Sequence, residues 1–355
     1  MKMHKKKVIY IVENEKSAQF RYRVHNIEQL FKTDREWDVE HRLGETVDRE
    51  TVEEADLIII ERQSAKNTSV LKIIDSAQDQ KKKVLFDLDD LIFDYRDLPL
   101  LMISTNSKNI LYWVGYFWGI RRIAKKVDGF LCTNQFLANK LRRSFHKPVR
   151  IIPNSLNKEQ IEVSEGCLKS KKKNKNTFVI GYFSGSPTHV RDFQMVEPEL
   201  ISFIDEYRDT SLLIVGYMSY SRQMKDLISS DRVKVIAPVN YLELQKKICE
   251  VDVNIAPLVL NDFTNCKSEL KYFEAAVVET TTIASPNYSF SHAIDNGVNG
   301  FLVEKGEWKK VLEYLRENRD KNRVIAKKAR FNALENYYGS KVKKMIKEAY
   351  GYFAS

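Results

Sequence analysis

Short apolar runs, each followed by a helix-length stretch, constrain this chain more than any other feature. Val8–Val12, Asp56–Ile60 and Lys83–Asp90 are strand-sized and apolar in their centres, the pattern of strands buried on both faces of a parallel sheet. A helical stretch through Val70–Ala77 separates the second run from the third and gives a βαβ rhythm. The rhythm stops after Val149–Ser155, in a polar, lysine-rich stretch that runs to Asn176. It restarts with a strand over Thr177–Phe183, followed by Leu212–Gly216, Val233–Ile236 and Val251–Ile255. An α/β chain with two parallel sheets follows, and 355 residues suffice for two cores. The expected division is residues 1–155, a basic linker 156–177, a second domain 178–335 and a terminal helix 336–355.

The formal charge of +10 is uneven. Between Leu101 and Arg150 ten Lys/Arg face a single acid, Asp128, and Lys169, Lys171, Lys172, Lys173 and Lys175 form a second cluster. Anionic partners are implied, although the second cluster reads equally as a solvated linker. No base-reading module accompanies these charges, so nucleic acid is not expected. Four widely spaced cysteines without a C-x-x-C argue against a disulfide framework and a zinc site. No run reaches the ~20 apolar residues of a membrane span, and the basic N-terminus leads straight into a strand, which predicts a cytoplasmic protein. Asn109–Val127 is read as a helix that is aromatic first and cationic last, ending in Arg121, Arg122, Lys125 and Lys126. It either packs on the sheet or lies at the inner face of an anionic membrane.

Candidate site residues fall at strand ends. The loop Glu13–Arg23 lacks the glycines of a dinucleotide fold, so NAD is not expected; it places Arg21 and Arg23 at the carboxyl edge of the first strand, where open α/β sheets bind ligands. Asp87, Asp89 and Asp90 cluster at the end of the Lys83 strand. In the second domain a small-residue turn, Ser184–Thr188, leads to a helix near Val190, with Gly185 free to approach a ligand and His189 and Arg191 close by. Thr264 or Asn265 is the expected N-cap of a further helix, on which Lys267, Lys271 and Glu274 recur at i, i+4 and i+7. Two ammonium groups at a helix start suit a diphosphate, and a carboxylate two turns in suits a sugar's hydroxyl pair. The same spacing also fits a solvated charged face.

That block, continued by Thr282-Ile283-Ala284-Ser285 and Asn296–Val303, resembles the donor-binding half of family 4 glycosyltransferases, retaining enzymes of the GT-B fold. The resemblance implies two Rossmann-like domains facing across a cleft, a UDP- or GDP-type sugar donor, no metal or other cofactor, and a last helix that crosses back to the first domain. It implies that Glu274 holds the ribose, that Gly185, Lys267, Lys271, His189 and Arg191 meet the diphosphate, and that Arg21 and Arg23 lie in the acceptor loop. Ala237-Pro238-Val239 would face the base. Asp89 and Asp90 take the place of the family's "His-Asp" beside the transferred sugar, and Val149–Ser155 resembles its "I-P-N-G" segment with Ser155 for glycine. Cys266 stands where the family has the first acid of a Glu-x7-Glu pair. The implied acceptor is a glycan, a cell-envelope molecule, or a lipid-linked or protein hydroxyl. Two alternatives remain: a non-catalytic GT-B partner of an active transferase, and, from Phe86-Asp87-Leu88-Asp89, a haloacid-dehalogenase-like phosphatase with Asp87 as nucleophile.

Overall fold

The structure, a computed structural model, describes residues 5–64, 68–105, 107–170, 176–184 and 189–354. Gly185 and Lys171, Lys172, Lys173 and Lys175 lie outside the described residues.

Two six-stranded parallel sheets form the frame. The first holds β1 (Lys6–Val12), β2 (Trp37–Leu43), β3 (Leu57–Glu61), β4 (Lys83–Leu88), β5 (Gly129–Cys132) and β6 (Val149–Ile151), in the order β2-β1-β3-β4-β5-β6. The second holds β7 (Phe178–Phe183), β8 (Thr210–Val215), β9 (Val233–Ile236), β10 (Val253–Ala256), β11 (Thr281–Ala284) and β12 (Phe301–Leu302), in the order β12-β11-β10-β7-β8-β9. Central strands such as β3 and β4 are buried along almost their whole length, which is why they are continuous Val/Ile/Leu runs. Strand order reverses between β1 and β3 in one sheet and between β7 and β10 in the other. Crevices open at such points beyond the carboxyl ends of the strands.

The segment read as a linker is helical over Lys158–Ser170, with Gln160, Ile161 and Ser164 buried against the second domain. The end of the chain makes two helices, Arg319–Tyr337 and Ser340–Phe353, broken at Gly339, whose φ of +78° suits glycine. Ser340–Phe353 returns to the first domain. There Val342, Ile346, Tyr350 and Phe353 join Tyr10, Phe31 and Trp37 in one core, and the Tyr350 and Tyr10 hydroxyls lie 2.8 Å apart.

The domains also meet directly. Phe263 and Cys266 of the second domain are buried in the apolar core of the first, and Lys140 pairs with Asp262 at 2.7 Å. At the crossing, Leu156 N donates to Tyr337 O at 2.8 Å, while the buried Ser155 carbonyl accepts from Asn26 Nδ2 at 2.6 Å. Among the described residues no helix is long and apolar enough to cross a membrane.

Candidate active site

On the first domain's side, the chain after β1 is helical from Ala18 onward, started by Ser17, which accepts from Phe20 N at 2.9 Å. Arg21 and Arg23 are therefore on a helix, not in a loop. Two positions apart on this helix, which is a π turn over Arg21–His25, the two side chains face nearly opposite sides. Arg23 points inward and is 1% exposed; its Nε and Nη2 reach Asp87 at 3.1 and 3.0 Å, and its Nη1 reaches Ile152 O and Asn154 Oδ1. Every arm of the fork is used, so Arg23 ties β4 to the domain crossing and has nothing left for an acceptor. The same pair closes off Asp87, 1% exposed, as a phosphatase nucleophile. Arg21 points outward to the second domain.

The ends of β3 and β4 bring Glu61, Arg62, Asp89 and Asp90 together. Arg62 bridges Asp89, at 3.0 Å, and Asp90. Burial pushes the Asp89 carboxyl up to about 6, and burial beside Asp89 pushes Glu61 up to about 8. Burial of Asp90 is outweighed by Arg62 and then by Lys267, so Asp90 is held below the usual carboxylate range. Lys267 belongs to the other domain, so this electrostatic pull acts across the cleft. Sequence reasoning alone misses Arg62 and Glu61. Their place directly after the Asp56–Ile60 run was the available signal.

On the second domain's side, the expected single helix is two. Asp262–Asn265 is capped by Asn261 in a reciprocal box with Thr264, and Leu270–Ala276 follows after a break at Cys266–Glu269. Partners from elsewhere cause the break. Asn134 Nδ2 takes the Asn265 and Lys267 carbonyls at 3.1 and 3.2 Å, and Asn154 Nδ2 takes Ser268 Oγ at 2.9 Å. Only Lys271 and Glu274 therefore share a helix, one turn apart. Lys267 sits in the break, its Nζ 4.8 Å from the Phe263 ring centre. Cys266, fully buried among apolar side chains, offers no acid in the cleft.

Lys271 Nζ is buried and has no hydrogen-bond partner among the described residues; it lies 4.7 Å from the Tyr182 ring centre. Burial, with Lys267 adding to it, pushes this amine down to about 8 against the pull of Asp192 and Glu274. Glu274 is 9% exposed and accepts from the Tyr22 hydroxyl of the opposite domain, and Arg21 Nη2 stands 3.8 Å from the same oxygen, Oε1. Burial raises the Glu274 carboxyl, while Arg21, Tyr22 and Lys271 pull it back.

His189 begins the helix Val190–Glu206, with its Nδ1 2.9 Å from Asp192 Oδ2. Burial, joined by Lys271 and Lys267, holds the ring down at about 4, so it is neutral at pH 7. Donation of Nδ1–H to the carboxylate leaves Nε2 as an acceptor. His189 thus suits a hydroxyl better than a phosphate. His189, Asp192, the exposed Arg191 and Lys267 line a cavity of about 140 Å³, with Ile103, Ser104 and Thr105 of the first domain opposite. A larger depression of about 780 Å³ is lined by Val251, Asp252 and Glu279, which precede β10 and β11. It is at the amino end of the second sheet, away from where such sheets bind ligands.

Two parallel sheets of this order, joined by a returning C-terminal helix and presenting their carboxyl ends to one cleft, define a GT-B fold. Residues 179–317 match the family described as "Glycosyl transferases group 1". No curated protein sequence matches the chain. Among solved structures, Anabaena HepE in complex with UDP and glucose is 14% identical over 98% of this chain and 100% of that one, with a TM-score of 0.67. Sucrose-phosphate synthase from Thermosynechococcus elongatus is 14% identical over 98% and 99%, with a TM-score of 0.66. WaaG, a glycosyltransferase involved in lipopolysaccharide biosynthesis, is 10% identical over 98% and 99%, with a TM-score of 0.63.

Proposed function

We propose that the cleft transfers a glycosyl unit, with retention, from a UDP- or GDP-type sugar donor to a hydroxyl of a glycan or cell-envelope acceptor. One observation carries this reading: Lys271 is a buried amine with no hydrogen-bond partner among the described residues, one helical turn from a buried carboxylate. An unpaired amine held at such a cost calls for an anion. Lys271, Lys267 and Arg191 supply the charge that a departing nucleoside diphosphate requires, and Glu274 accepts from the ribose hydroxyls. In a front-face reaction the anomeric C–O bond to the diphosphate breaks as the bond to the acceptor oxygen forms, and the acceptor's proton passes to the leaving oxygen. Cations in these positions make a metal unnecessary for that step. Asp89 and Asp90, fixed by Arg62, face the transferred sugar from the other domain, and His189 Nε2 accepts from one of its hydroxyls. The UDP and UDP-glucose held by Anabaena HepE and the family match of the second domain favour the same donor class.

A panel of nucleoside-diphosphate sugars, assayed for released nucleotide with and without a divalent-metal chelator, tests this. The expected result is turnover of a UDP or GDP sugar that survives the chelator. Binding without turnover of any donor would instead make the chain a non-catalytic partner.

The aromatic helix Ile110–Lys126 supports peripheral contact with an anionic membrane. Its face Leu111, Val114, Trp118, Arg122, Lys125 is exposed, with Leu111 82% and Trp118 53% accessible. Arg121 instead donates to Phe93 O at 2.9 Å and Lys126 pairs with Asp75, so these two cations serve the fold. Arg122→Gln with Lys125→Gln should weaken binding to anionic vesicles at low salt by about 1 kcal/mol per charge. Changing Arg121 and Lys126 should cost less. A wild type that fails to sediment with such vesicles contradicts the membrane contact.

A further inference from the structure

The cleft has a third station beyond Lys271 and Glu274. The helix Tyr241–Cys249 starts under an Asn240 cap that accepts from Leu242 N and Glu243 N at 3.1 and 2.9 Å. One turn after Tyr241, on the same face, Gln245 Nε2 donates to the Glu274 main-chain oxygen at 2.6 Å. That bond fixes the register of the two helices and brings the Tyr241 ring up to Glu274.

Arg21 fills the space between them. Its guanidinium carbon lies 4.4 Å from the Tyr241 ring centre and 4.4 Å from that of Tyr22, and Nη2 lies 3.8 Å from Glu274 Oε1. Its Nε is buried without a hydrogen-bond partner among the described residues. A flat, delocalised group stacked on an aromatic face, with one edge turned to a carboxylate, has the outline of a nucleobase whose ribose faces Glu274. Lys271 stands one helical turn from Glu274, and Arg21 joins Glu274 to Tyr241, a succession that matches diphosphate, ribose and base within a nucleotide.

We propose that Tyr241 is the platform on which the donor's nucleobase stacks, and that Arg21 covers this platform until the entering nucleotide displaces it. The base cannot use that face of Tyr241 while the guanidinium lies on it. Stacking accepts any base, so the exposed main chain of Ala237–Asn240, which leads directly into Tyr241, is left to read the base's edge. The proposal rests on the reading of Lys271 and Glu274 as the donor site.

Calorimetric titration of UDP, GDP and inorganic pyrophosphate into the wild type, Tyr241→Ala, Tyr241→Phe and Arg21→Ala tests it. Tyr241→Ala should weaken the preferred nucleotide by about tenfold or more, the effect typical of losing one base-stacking aromatic. It should leave pyrophosphate affinity unchanged, and Tyr241→Phe should restore nucleotide binding. Arg21→Ala should bind the nucleotide at least as tightly as the wild type. The inference is overturned if Tyr241→Ala titrates like the wild type, if it loses pyrophosphate in equal measure, or if Arg21→Ala weakens in step with it. A wild type that binds neither nucleotide nor pyrophosphate would overturn the donor-site reading as well. A nucleotide that outbinds pyrophosphate by the same factor in Tyr241→Ala as in the wild type would overturn this inference alone.

Discussion

Lys271→Met is expected to abolish nucleotide binding and, at pH 7, to make the protein more stable than the wild type. The folded amine titrates at about 8, below its ordinary 10.5, because burial disfavours its charged form. Below pH 8 the folded state therefore carries the full penalty of a poorly hydrated ammonium; between 8 and 10.5 the penalty fades, and above 10.5 it is gone. At 1.36 kcal/mol per pKa unit the gain on removing the charge is roughly 3 kcal/mol, less whatever the contact with Tyr182 contributes. Met keeps the apolar stem and opens no cavity. Urea unfolding of both proteins at pH 7 and pH 9.5 should show a stability gap that narrows at the higher pH. A variant less stable than the wild type at pH 7 would mean that Lys271 is a structural cation with its counter-charge in place. The same titration predicts that wild-type nucleotide affinity holds below pH 8 and declines above it.

How much of this was legible depends on how far away the deciding contacts lie. Strands such as β3 and β4 are specified by their own Val, Ile, Leu and Phe, so the central strands can be read from apolar runs alone. Strand β2, Trp37–Leu43, gives no such signal, because it is an edge strand, polar along much of its length and half-exposed. The break at Cys266–Glu269 could not be read locally. It depends on the side chains of Asn134 and Asn154, more than a hundred positions earlier, which claim the carbonyls and hydroxyl of that turn. Arg21 and Arg23 look alike in sequence, but two positions apart on a helix they face opposite sides: one is locked on Asp87, the other stacks on Tyr241 of the second domain. Tyr22 carried no signal at all, since its role exists only once the domains meet.

The second large effect is expected at Glu274. Its carboxylate is buried beside Lys271, and Tyr22 and Arg21 both approach Oε1, which leaves Oε2 for a donor's ribose. Glu274→Gln keeps one carbonyl acceptor and removes the charge that strengthens the ribose bonds, so nucleotide binding should weaken by roughly 1.5–3 kcal/mol. The variant also loses a charged partner for Tyr22 and Arg21, and a plain affinity drop therefore mixes ribose binding with domain closure. A 2′,3′-dideoxy nucleotide separates the two, because it lacks only the hydroxyl pair. Titrating the ribo and dideoxy forms into the wild type and Glu274→Gln closes a double-mutant cycle. The account predicts that the wild type prefers the ribo form and that most of this preference is gone in the variant. A variant that still prefers the ribo form as strongly as the wild type does would remove Glu274 from the ribose and contradict the placement of the whole donor site.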